Sequence, residues 1–101
     1  MDVAYITYRK EKYPVRVSYF ALKNVKSDTG KTVEEAGDNM EVYESLLWYS
    51  LVSGHRFEQK DLALRREDME DVLDHCFFEF TRAIPKFFAR PEEGTDDGKK
   101  K

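Results

Sequence analysis

The sequence predicts an α+β fold in which a short N-terminal β-hairpin packs on a bundle of about three to four α-helices. Two observations indicate this class. Two runs near the N-terminus, residues 3–8 and 13–19, are rich in β-branched and aromatic residues and flank a charged turn. Beyond them, apolar residues recur at spacings of three and four, which is typical of amphipathic helices. Because an isolated hairpin is only marginally stable, we expect this one to lie on the helices.

The composition indicates one small domain, which we place at residues 1–90 of a 101-residue chain. Apolar residues make up 41% and charged residues 37%, as in globular proteins, whereas residues 91–101 have nothing to bury and predict a disordered tail. The net charge of −3 argues against nucleic acid or an anionic membrane as partner. A single cysteine and the lack of a signal-peptide pattern favour the cytoplasm.

Local signals define the first helix and the turn after it. Ser18 is suited to cap a helix over residues 19–28, and Gly30 is suited to end it in a left-handed conformation. Thr32 and Glu35 have the spacing of a capping box, which predicts a single helical turn before the central helix.

The central helix, predicted over residues 40–52, is apolar nearly all round. Asp38 with Glu41 predicts its start and Gly54 its end, so that residues 55–64 form a connection. At about 13 residues it is shorter than the ~20 that span a membrane. Two interpretations stay open: a helix buried in the core, or a core helix with one face that also contacts a partner.

A last helix is predicted from about residue 66 to residue 88, with an apolar arc of roughly 160°. Phe78 lies outside this arc, on the polar side. The arc, the central helix and Phe78 together offer more apolar surface than a hairpin and one short helix can cover. Surplus apolar surface usually marks a contact site, so we expect self-association or partner binding, with a compact monomer as the alternative.

No arrangement of residues indicates catalysis or metal binding. His75 and Cys76 point about 100° apart on a helix and lack further ligands at suitable spacing. We interpret Cys76 as a buried thiol, His75 as a solvated side chain paired with Asp71, and His55 as a cation at a helix end. We expect no enzyme activity, no cofactor and no metal; the alternative is a small enzyme, which would need a polar cleft.

The phrase YPVR at residues 13–16, with Ser18, the Ala21-Leu22 pair and TGKT at residues 29–32, resembles the tail assembly chaperones of long-tailed phages. The order of elements is similar as well, over roughly residues 3–75. The resemblance implies a non-enzymatic α+β protein of a phage or prophage. It would oligomerise, coat the hydrophobic tape measure protein and deliver tail tube protein in the host cytoplasm. The alternative is a small homo-oligomeric adaptor unrelated to phage tails.

Aromatic residues on the last two helices are the candidates for protein contact, by helix-in-groove recognition and by self-association. They are Trp48, Tyr49, Phe77, Phe78, Phe87 and Phe88. Two interpretations of GKKK at residues 98–101 stay open: an adenine run at a ribosomal frameshift site, as in the family that the chain resembles, or a cloning remnant.

Overall fold

The computed structural model describes residues 3–88, apart from the side chains of Lys86 and Phe88. Two strands, β1 (Ala4–Tyr8) and β2 (Glu11–Val15), are followed by the helices α1 (Tyr19–Thr29), α2 (Met40–Glu58) and α3 (Met69–Phe88). One-turn 3₁₀ helices at Val33–Glu35 and Arg66–Asp68 precede α2 and α3. The predicted α+β class is confirmed, with three α-helices in the part of the chain that is described. The predicted tail at residues 91–101 lies outside it.

The strands form an antiparallel hairpin that closes through a two-residue turn at Arg9 and Lys10. Both turn residues have positive φ, 51° and 69°. This left-handed pair matches the right-handed twist of the two strands, which is why it recurs in two-residue hairpins. The turn is shorter than the predicted charged stretch, since Glu11 already pairs with Tyr8.

The second strand ends at Val15, so the prediction of a strand over residues 13–19 was wrong. The chain turns into α1 because the Ser18 hydroxyl accepts a hydrogen bond from the first turn of that helix. Tyr19 was placed both at the end of this strand, on the face of Val15 and Val17, and at the start of the first helix. It begins α1, as the second of these predictions has it, and is 78% exposed.

The predicted end of α1 and the capping box after it are confirmed. Gly30 has a φ of 77°, and its N–H donates to the Lys26 carbonyl at 2.8 Å. The backbone N–H of Thr32 donates to the Glu35 carboxylate at 2.8 Å, and the N–H of Glu35 donates to the Thr32 hydroxyl at 3.3 Å. These local signals were readable because their partners lie within four residues.

The central helix α2 continues past Gly54, where the sequence predicted its end, and stops at Glu58. Gln59 caps it in a left-handed conformation, with a φ of 58°. His55, predicted as a cation at a helix end, lies in the last turn of α2, although that turn ends four residues beyond Gly54. The side chain of His55 is buried, with Nδ1 2.7 Å from the carbonyl oxygen of Leu51 one turn earlier. A glycine costs a helix only about 1 kcal/mol relative to alanine, so contacts elsewhere decide whether the helix continues.

The contact that decides this lies between Gly54 and the hairpin. A Cβ atom at Gly54 would stand 2.5 Å from the carbonyl oxygen of Pro14, so only glycine lets β2 lie against α2. One turn earlier on α2, the Ser50 carbonyl accepts a hydrogen bond of 3.0 Å from the N–H of Arg16. The hairpin is thus attached to the backbone of α2.

Helix α3 covers the other side of the hairpin. The Cys76 thiol donates to the Thr7 carbonyl at 2.8 Å, and the N–H of Thr7 donates to the Glu79 carboxylate at 2.9 Å. The Tyr8 hydroxyl donates to the carboxylate of Asp71. Between the elements lies one core, whose largest apolar members are Ile6, Val15, Val25, Val42, Leu46, Leu47, Leu51, Met69, Val72 and Phe80.

Candidate protein-interaction surfaces

A groove lies between the first turns of α2 and the first half of α3. Asn39, and not the predicted Asp38, caps α2 here, by accepting a hydrogen bond of 3.0 Å from the N–H of Glu41. The groove has a volume of about 580 Å³. We call it the acidic groove; its lining residues are Met40, Glu41, Glu44, Glu70, Leu73, Asp74 and Phe77.

The floor of the acidic groove is apolar and firmly held. Phe77 stands edge-on to Tyr43, with ring centroids 5.6 Å apart, and edge-on to Phe78 at 5.5 Å. Both distances are favourable for aromatic pairs. The Tyr43 hydroxyl also donates to the Gly37 carbonyl at 3.0 Å, which fixes its ring. Phe78 is 71% exposed and Met40 is 54% exposed, so apolar surface is open to solvent on both sides of Phe77.

Four carboxylates border this floor, Glu41 and Glu44 on α2 and Glu70 and Asp74 on α3. None of them forms an ion pair with a side chain that the structure describes. No lysine or arginine lines the groove itself; Arg66, which pairs with Asp28, lies with Glu41 and Glu44 around a neighbouring hollow. Like charges around one concave surface repel each other, so a cation brought there by a partner would be stabilised.

A second surface lies at the opposite end of α2, where α1 begins. It surrounds a hollow of about 410 Å³. The hydroxyl groups of Ser18 and Ser53, 2.7 Å apart, join the two helices there. We call this surface the basic aromatic patch; its lining residues are Arg16, Ser18, Tyr19, Phe20, Ser53, Arg56 and Phe57.

Two arginines in the patch lie over aromatic rings. The guanidinium carbon of Arg56 is 4.5 Å from the centre of the Phe20 ring, and that of Arg16 is 4.7 Å from the centre of the Phe57 ring. Such stacking holds a guanidinium in place while leaving its charge available to a partner. Neither arginine forms an ion pair among the described side chains, and no acidic residue lines the patch.

The predicted contact residues on α3 separate into two groups. Phe77 and Phe78 lie together at the acidic groove. Phe78 faces solvent, as its position outside the apolar arc predicted. Phe87 is partly buried near the end of the helix, and the side chain of Phe88 lies outside the described residues.

The predicted contact residues on α2 are partly covered by their own chain. Trp48 and Tyr49 pack against the core. The Tyr49 ring meets the Phe20 ring edge-on at 6.1 Å, so Tyr49 borders the basic aromatic patch. The structure does not bring either residue together with Phe77.

Four apolar residues of the two surfaces were not predicted as contact residues: Met40, Tyr19 and Phe57, which are exposed, and Leu73, which is partly buried. Met40 and Leu73 belong to the apolar faces of their helices, Tyr19 was placed where the predicted strand meets the first helix, and Phe57 was placed in a connection. A signal for the groove was present, since acidic residues stand next to Met40 and Leu73 in the sequence. No comparable sequence signal indicated the patch, because Arg56 and Phe57 belong to it only if α2 continues beyond Gly54.

The structure gives the surroundings of the cysteine and the histidine that were noted in the sequence as possible metal ligands. Burial raises the pKa of the Cys76 thiol to about 11, with a smaller contribution from the nearby charge of Glu79. The expected pairing of His75 with Asp71 is confirmed, with Nδ1 3.9 Å from the carboxylate and 2.8 Å from the carbonyl oxygen. Within residues 3–88, no group of three or more histidine, cysteine or acidic side chains is placed to hold a metal ion.

The fold and these surfaces define a small α+β protein with two separate candidate contact sites. No protein-family model, curated protein or solved structure matches the chain. Among the helices described, none combines the length and the apolar character needed to cross a membrane.

Proposed function

We propose that this chain is a tail assembly chaperone of long-tailed phages or prophages. It would oligomerise and bind the hydrophobic tape measure protein in the host cytoplasm, with tail tube protein as a further partner. The observation that carries the proposal is the acidic groove with Phe78 exposed beside it. The resemblance of residues 13–32 to that family is the reason for proposing the tape measure protein as the client. The proposal contains no catalytic step.

The groove suits a helical client. It runs between two helices, and its apolar floor offers Met40, Leu73 and Phe77 to the face of a third. Helix-in-groove recognition uses anchors on one face of the bound helix, three and four residues apart. A long apolar helix in water must be covered, and each large side chain buried at such a contact contributes about 1.5–3 kcal/mol. Phe78 extends the contact surface beyond the groove.

The net negative charge of the chain supports the same function for a second reason. Each bound copy adds its net charge of −3 to the complex. Complexes that carry many like charges repel each other and stay dispersed. The chaperone would thus cover the apolar face of its client and prevent aggregation of the covered client.

Co-expression with a tape measure protein tests the proposal. The wild-type chain should keep the tape measure protein in the supernatant and co-purify with it. Phe78→Ala should lower the co-purified amount several-fold, because truncating an aromatic anchor typically costs about 2 kcal/mol or more. Phe57→Ala is the matched control: Phe57 is also half exposed or more, lies on α2 and is remote from the groove. It should not lower client binding.

Two outcomes would contradict the proposal in different ways. If the tape measure protein is equally insoluble with and without the chain, the function is wrong. The homo-oligomeric adaptor would then be the better interpretation. If the wild type binds the client but Phe78→Ala binds it equally well, the function stands and the assigned surface is wrong. A neighbouring gene for a very long helical protein would add independent support.

A further inference from the structure

We infer that copies of this chain associate head to tail, with the basic aromatic patch of one copy docked on the acidic groove of the next. The inference rests on the proposed function in so far as that function includes an oligomer. It adds which two surfaces meet and why the assembly has a direction.

Charge complementarity is the first reason. Four carboxylates border the groove without a cation among them, and Arg16 and Arg56 lie in the patch without a carboxylate. In the described part of the chain, none of these six groups forms an ion pair. Both surfaces also contain apolar and aromatic side chains. Complementary charge around apolar contacts favours this pairing and disfavours the pairing of either surface with itself.

The positions of the two surfaces are the second reason. Glu44 in the groove and Arg56 in the patch are twelve residues apart on α2. They are therefore about 18 Å apart along the helix axis and roughly 120° apart around it. The two surfaces of one copy cannot reach each other. An interface between two different surfaces is heterologous, and its repetition gives a ring or an open chain, not a two-fold dimer.

Each surface has exposed apolar side chains that project beside its hollow. Tyr19 is 78% exposed and Phe57 is 50% exposed at the patch, and Met40 and Phe78 project beside the groove. Tyr19 or Phe57 of one copy is thus available to contact Phe77 of the next. Aromatic side chains and arginine are the residue types that carry most energy at protein interfaces.

The small size of the surfaces sets the expected strength. Each surface is centred on one small hollow, which is typical of the small interfaces that form weak or transient complexes. We therefore expect a dissociation constant of roughly tens of micromolar. Because the charges are exposed, association should weaken as salt rises from about 0.05 M to 0.5 M.

The client helix and the neighbouring copy would use the same groove. A bound client should therefore displace the patch of the next copy, so that the oligomer opens as client is taken up. Groove variants would affect both partners, whereas patch variants would affect only the association of copies. This difference separates the inference from the proposed function.

Sedimentation equilibrium at about 100 µM in low salt tests the inference. The wild type should show an average mass well above the 11.9 kDa of the monomer. Glu44→Arg and Arg56→Glu, each alone, should weaken association by about tenfold or more. An equimolar mixture of the two should associate again, because it contains an intact groove on one chain and an intact patch on the other. Tyr19→Ala gives a second test that leaves all charges unchanged.

The inference is overturned if the wild type is monomeric under these conditions, or if either charge variant associates like the wild type. It is also overturned if the mixture stays monomeric while both variants keep the thermal transition of the wild type. A variant that does not fold is replaced by Tyr19→Ala, which should weaken association and would contradict the inference if it did not. Arg56→Glu should still keep the tape measure protein soluble; its failure there would count against the proposed function.

Discussion

Replacing Gly54 with alanine tests the contact that determines both the length of α2 and the position of the hairpin. A Cβ atom there would lie 2.5 Å from the oxygen and 2.6 Å from the carbon of the Pro14 carbonyl, and 2.9 Å from the nitrogen of Val15. All three are backbone atoms, so no side-chain rotation can relieve the clash. To restore an ordinary contact, β2 must move away from α2 by about 1 Å.

The cost follows from three contributions to the free energy of unfolding. Overpacking of this kind costs about 1–3 kcal/mol. The shift also strains the hydrogen bond from the N–H of Arg16 to the Ser50 carbonyl, which contributes about 1 kcal/mol. Alanine offsets about 1 kcal/mol of this through its better helix propensity. The net expectation is a loss of about 2 kcal/mol, which lowers the melting temperature of a domain of this size by about 8–16 °C.

Thermal and urea unfolding followed by circular dichroism measure this loss. Gly30→Ala is the control for backbone conformation, since Gly30 has a positive φ and nothing within 4 Å of the Cβ position. It should cost about 1 kcal/mol from left-handed strain alone. Gly54 has no such strain, so without the hairpin contact its replacement would stabilise the helix. A Gly54→Ala variant as stable as the wild type, or more stable, would refute the reasoning.

Two further predictions concern titratable groups. The hydrogen bond from Tyr8 is the largest cause that holds the pKa of Asp71 below its ordinary value of 3.8. This stabilisation is present above that value and is lost as pH falls through the lower folded pKa. The stability difference between wild type and Tyr8→Phe should therefore shrink as pH falls from about 7 to about 2 in urea titrations; a constant difference would contradict it. The pKa of the Cys76 thiol is raised from 9.0 to about 11. At pH 8 the thiol should therefore react with a disulfide reagent at least about tenfold more slowly in the folded chain than in the unfolded chain, because the roughly 100-fold lower thiolate fraction is offset in part by higher nucleophilicity. Equal rates would exclude a buried thiol.

The parts of the fold that could be predicted are those with short-range causes. Ser18, Gly30 and the pair of Thr32 and Glu35 act on backbone groups within four residues, so their types and spacing sufficed. The outward position of Phe78 was equally readable, because helix periodicity alone places it opposite the apolar arc.

The errors have long-range causes. Glycine often ends helices. Here Gly54 lies inside α2, because Pro14, far away in the sequence, needs the space where a side chain would be. Met40 and Leu73 of the acidic groove were missed as contact residues for a related reason, whereas Phe77 beside them was predicted. Whether Leu73 and Phe77 are covered depends on how α3 lies against α2, which no local pattern specifies. Trp48, predicted as a contact residue, packs in part against the core of its own chain.

The length of α2 connects the fold to both proposals. If the helix ended at Gly54, Arg56 and Phe57 would belong to a loop, with no fixed position relative to the acidic groove. Because α2 continues to Glu58, both surfaces are held on one helix at a constant separation and angle. The contact at Gly54 also brings the end of β2 alongside the helix, where Arg16 stacks on Phe57. Gly54 therefore fixes the position of the patch, since a bulkier residue would move β2 and with it Arg16, the residue that follows the strand.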